Sequence, residues 1–76
     1  MIEDRAPSEP TLTAYDVAHS AIYVRLLDAE ASGADWKSAA RLLLNRDPDE
    51  DEAAALRCWE THLARARWMT KQGYRH

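Results

Sequence analysis

Cys58 is the only cysteine in the chain, so no internal disulfide can hold it together. At 76 residues the chain is near the smallest size at which one core sustains a fold alone, and that core must come from packed secondary structure. Leu, Ile, Val, Trp, Tyr and Ala supply the apolar groups, Phe is absent, and Gly occurs only at positions 33 and 73. Apolar residues recur at helical spacing, which predicts an all-α fold: a small three-helix domain. The Met1-Ile2-Glu3-Asp4 start is acidic where a signal peptide is basic, and no apolar run approaches a membrane span. With one unpaired thiol, the expectation is a cytoplasmic chain without a membrane partner.

Residues 1–12 hold Pro7 and Pro10 among mixed charges and are expected to form a flexible arm, with the helical domain over 13–76. Thr13 can cap the first helix, Asp16 suits its first turn, Leu12 and Val17 are spaced for a hydrophobic staple, and Ser32-Gly33 stops it. Tyr15, Ala18, Ile22, Leu26 and Ala29 share one face; Val17, Val24, Leu27 and Ala31 form a second stripe. A helix apolar on two sides is covered on two sides, by the other helices or by a partner.

Asp35 can cap a second helix with Trp36, Ala39, Ala40 and Leu43 on one face, ending near Asn45. Asp47, Pro48 and Glu50 together predict the start of the third helix, with Leu56, Trp59, Leu63 and Ala66 as its core stripe. Gly73 is expected in the left-handed position at its end, with Tyr74 against Met69. Trp68 falls on the far side of the wheel, among Arg57, Thr61, Ala64 and Arg65. A short second helix joined to a long third has the outline of a helix-turn-helix, although the Asn45-Arg46-Asp47-Pro48 connection is long for that motif and lacks its frequent Gly.

The formal net charge is −3, and its distribution is more informative than its sum. Asp47, Asp49, Glu50, Asp51 and Glu52 form an acidic block without a basic residue, while from Ala53 onward Arg57, Arg65, Arg67, Lys71 and Arg75 face only Glu60. Such blocks suit a helix dipole, with acids at its start and bases towards its end. The block lacks the alternating ligands and central Gly of a calcium loop. Cys58 and His62, four apart, offer two of the four ligands a structural zinc needs, and no second pair stands nearby, so neither metal nor cofactor is expected. No phosphate loop, nucleophile elbow or helical HExxH occurs, and a catalytic role is not expected.

Two stretches carry a resemblance: Ala14-Tyr15-Asp16-Val17-Ala18-His19, leading into Tyr23-Val24-Arg25-Leu26-Leu27-Asp28-Ala29, and His62-Leu63-Ala64-Arg65-Ala66-Arg67-Trp68-Met69-Thr70, ending in Gly73-Tyr74-Arg75. They resemble the family of domain of unknown function 2285, a helix-turn-helix variant with an extended turn, found on proteobacterial mobile elements such as integrative and conjugative elements. The resemblance spans nearly everything after the arm. It implies one of two functions. Longer members carry this domain behind another and bind DNA to switch on conjugative transfer; single-domain members are antiactivators that bind such activators and block them. With nothing before Thr13 large enough for another domain, the second kind is expected.

A helix-turn-helix reads bases with the start of its recognition helix, where this chain carries Asp47, Asp49, Glu50, Asp51 and Glu52. Phosphates are repelled there, so no nucleic-acid partner is expected. The expected partner is instead a transcriptional activator of conjugative transfer, with a quorum-sensing regulator as a second candidate. Its candidate contacts are the stripe Val17, Val24, Leu27 and Ala31, together with Arg65, Trp68, Met69 and Tyr74, since Trp and Arg are preferred interface anchors. The alternative is a DNA-binding regulator that uses Arg57, Arg65, Arg67, Lys71 and Arg75 on phosphates.

Overall fold

A computed structural model describes residues 2, 3 and 5–73. The expected roles of Tyr74 and Arg75 lie outside the described residues. The fold is all-α, and no strand occurs among the described residues. Helix α1 (Ala14–Ala18) runs into α2 (Ser20–Ala31), followed by α3 (Trp36–Leu43), α4 (Glu52–Trp68) and a π-helical turn (Met69–Gly73).

Thr13 caps α1 as expected: its hydroxyl accepts from the Asp16 backbone N–H, and the Asp16 carboxylate accepts from the Thr13 N–H at 2.9 Å. The expected single first helix is broken at His19, which has φ −112° and ψ 16°. Its Nδ1 lies 2.8 Å from the Tyr15 carbonyl, and this side-chain contact inside the hydrogen-bond ladder accompanies the bend. Gly33, with φ 75°, ends α2; Ala34 N–H donates to the Ala29 carbonyl and Gly33 N–H to that of Glu30. Asn45 closes α3 in the same left-handed region, at φ 55°.

Two of the expected helix ends are corrected. Asp47 caps only an isolated turn, in which Asp49 N–H donates to its carboxylate and Glu50 N–H to its carbonyl. Asp51 then adopts φ −152° and ψ 89°, too extended to propagate that turn, and caps α4 through the Ala54 N–H at 3.1 Å. Two capping residues four apart compete, and the later one starts the long helix. At the other end Gly73 lies inside the π-helical turn, so the chain continues past Trp68 instead of stopping at a left-handed glycine.

Helix α4 is the centre of the molecule. Trp59, Leu63 and Ala66 are buried towards α2 and α3, with Leu26, Ala39 and Leu44 among the residues that meet them. Leu56, Trp36 and Leu43 pack on this cluster partly buried. The helix covered on two sides is therefore α4, whereas the sequence assigned that property to the first helix. The second cover is the N-terminal arm. It was expected to be flexible, yet its described residues lie along α4 and are hydrogen-bonded to it by side chains of the body. Among the described residues no helix is long and apolar enough to cross a membrane.

Candidate functional site

Asp16 was read as a first-turn acid, but it is fully buried. One carboxylate oxygen accepts from Arg65 Nε at 3.0 Å and from the Tyr23 hydroxyl at 2.9 Å. The other accepts from Arg65 Nη2 at 2.7 Å and from the Thr13 N–H and hydroxyl. Burial alone would raise the Asp16 pKa, but the bonds from Arg65, Thr13 and Tyr23 outweigh it and hold the carboxyl well below its usual range. Burial, then the bond to Asp16, pushes the Tyr23 phenol upward. Arg65 is only 5 % exposed and also donates to the carbonyls of Glu9 at 2.6 Å and Thr11 at 2.8 Å. It was expected to be an interface anchor. Its cation instead joins α1, α4 and the arm in a buried network.

Met69 is likewise interior, part of the core cluster, and does not present a surface to a partner. Trp68 is half-buried, with the Arg65 guanidinium 3.9 Å from its ring centroid. One face of this indole is thus already occupied from within the chain.

Cys58 and His62 do come together, as their spacing implies, but with partners that make them structural. His62 Nδ1 lies 2.7 Å from the Cys58 carbonyl, so it carries the proton, and Nε2 accepts from the Tyr15 hydroxyl at 2.6 Å. That hydroxyl in turn accepts from the Glu3 N–H at 3.0 Å. Among the described residues no cluster of three or more His, Cys, Asp or Glu side chains is arranged for a metal.

Burial pushes the His62 pKa down, so the folded domain holds it neutral. The unfolded chain takes up a proton there near pH 6.5, and the folded one only at lower pH. Stability is therefore full above about pH 6.5 and declines below it, by up to about 1.4 kcal/mol per pH unit. Asp16, whose folded pKa is depressed, adds a second loss below about pH 4. Urea melts at pH 7.5, 6.5 and 5.5 should show this decline, and His62→Gln should flatten it between pH 7.5 and 5.5.

The stripe on the first helical segment is the expected contact surface that the structure leaves open. Val17 is 61 % exposed and Val24 50 %, Ala31 is also exposed, and only Leu27 packs partly into the core. The sequence reading left this stripe either to the core or to a partner, and among the described residues nothing buries Val17, Val24 or Ala31. Leu42 on α3, at 83 % exposed, is a large apolar residue on the surface that sequence reasoning did not single out. It lies off the face of Trp36, Ala39, Ala40 and Leu43 that packs towards the core.

The acidic block sits mainly in the α3–α4 connection, with only Glu52 inside α4. Three of its carboxylates meet the cations of α3: Lys37 pairs with Glu52 at 3.1 Å, and Arg41 with Asp49 at 3.1 Å and Asp47 at 3.7 Å. Such exposed pairs add little stability, but they neutralise the cations of α3. Further along α4, Arg67 is paired with Glu30. Of the basic group named for phosphate contact, Arg65 is therefore buried and Arg67 is engaged on the surface.

No protein-family model matches this chain, and no curated protein sequence matches it. The two stretches that carry the family resemblance nevertheless face each other in the fold, since Asp16 meets Arg65 and Tyr15 meets His62. Residues of both stretches thus help to hold the helices together.

Proposed function

We propose that this domain is an antiactivator: it binds a transcriptional activator of conjugative transfer of a mobile genetic element and weakens its action without touching DNA. The observation that carries the reading is the exposure of Val17 on α1 and of Val24 and Ala31 on α2. Exposed apolar side chains lose water favourably only against another apolar surface. The identity of the partner comes from the resemblance, which implies an activator carrying a related helical domain, with a quorum-sensing regulator as a second partner and the cytoplasm as the place of action. A free copy of such a domain competes for the surface that the activator's own copy uses, provided its concentration overcomes the advantage of tethering.

The electrostatics favour a protein partner over DNA. Glu52 opens α4 and the other four acids of the block lie in the connection just before it, a negative charge near the end by which a recognition helix enters a groove. Glu52, Asp49 and Asp47 engage the nearby cations Lys37 and Arg41. In a titration at about 0.15 M salt, the domain is expected to leave promoter and random duplexes unshifted while co-eluting with the activator. Tight duplex binding that falls steeply with added salt would instead favour the DNA-binding reading through the exposed cations Arg57 and Lys71.

A further inference from the structure

The Ile2 side chain packs partly against the core, and the arm's hydrogen bonds to the body run through its backbone. Arg46 donates to the Ile2 carbonyl at 2.7 Å, and Cys58 Sγ lies 3.4 Å from the Glu3 carbonyl. Tyr15 Oη accepts from the Glu3 N–H, Thr61 Oγ1 from the Ala6 N–H at 3.1 Å, and Arg65 donates to the Glu9 and Thr11 carbonyls. The body asks an N–H of positions 3 and 6 and none of Pro7 or Pro10, which have none to give. Pro7-Ser8-Glu9-Pro10 borders, with Trp68 and Arg65, a cavity of about 430 Å³ that the arm leaves unfilled. Side chains reading the backbone of a non-helical segment, with prolines and an indole lining one cavity, resemble a recurring mode of peptide recognition.

We propose that the groove formed by Tyr15, Arg46, Cys58, Thr61, Arg65 and Trp68 is a docking site for an extended peptide of the Pro-x-x-Pro type, and that the chain's own arm is its resident occupant. A partner segment of this chemistry takes the same contacts when the arm lifts. The groove uses other residues than Val17, Val24 and Ala31, so it stands or falls separately from the antiactivator reading. Tethering gives the arm an effective concentration on the order of millimolar, so a free peptide competes only when the arm is weakened.

The buried thiol of Cys58 reports on the arm, because its sulfur lies beneath the Glu3 carbonyl. In the full-length chain, Pro7→Gly with Pro10→Gly loosens the arm and leaves every groove residue intact. Alkylation of Cys58 in the folded protein is expected to quicken about tenfold. A synthetic peptide of residues 1–12 should then slow it again in a saturable way, and shift the amide resonances of Thr61 and Trp68. A peptide with both prolines replaced by glycine should protect markedly less. Unchanged alkylation in the double variant, no protection by the native peptide, or equal protection by both peptides would each overturn the proposal.

Discussion

Asp16→Asn is expected to cost about 3–5 kcal/mol, because it leaves the Arg65 cation buried against a neutral amide. The change keeps the size of the side chain, so packing is not at issue. Asn offers one acceptor oxygen where the carboxylate takes bonds from Arg65, Tyr23 and Thr13 with both. A domain this small has a total stability towards the low end of about 5–15 kcal/mol, and the loss is a large share of it. The melting temperature should fall by at least about 12 °C. Arg65→Met should be similarly damaging, since it strands the carboxylate and releases the Glu9 and Thr11 carbonyls. The double variant Asp16→Asn, Arg65→Met should recover part of the sum, because removing both charges of a buried pair is far cheaper than removing one. Additive losses in that cycle, or a melting temperature unchanged in Asp16→Asn, would contradict the role assigned to the pair.

That network was also the part of the fold least legible in the sequence. Helix ends were readable where one residue's local chemistry decides them: Thr13 caps, and Gly33 and Asn45 take the left-handed conformation. The start of α4 was misplaced because Asp47 and Asp51 both carry capping chemistry, and only the chain's extended path at Asp51 decides between them. Arg65 looked like an interface anchor because Trp and Arg are preferred there and it shares a side of the helix with Trp68, while its true partner lies 49 residues away on α1. The spacing of Asp16 and Tyr23, seven apart on the face that also carries Leu26, was the available sign that a carboxylate pointed inward. The arm was read as flexible from composition, since nothing local indicates that Arg46, Thr61 and Arg65 hold its backbone. Of the candidate contact residues, Val17, Val24 and Ala31 are open to a partner, Arg65 and Met69 are interior, and Trp68 lies between.

The exposed valines give the second large effect. Val17→Asp with Val24→Asp places two charges at positions that are at least half exposed. Because neither side chain is in the core, each change should alter stability by only about 0.5 kcal/mol. An anchor lost from the middle of an interface typically costs about 2 kcal/mol or more, so affinity for the activator should fall at least about thirty-fold. The wild-type chain and this double variant should therefore differ in binding while sharing a circular dichroism spectrum and, within a few degrees, a melting temperature. The measurement that decides is calorimetric titration of each against the purified activator of conjugative transfer, with no DNA present. The account predicts saturable binding by the wild-type domain and its near loss in the double variant. Equal affinity for both would show that the partner uses another face, and no binding by the wild-type domain would contradict the antiactivator function itself.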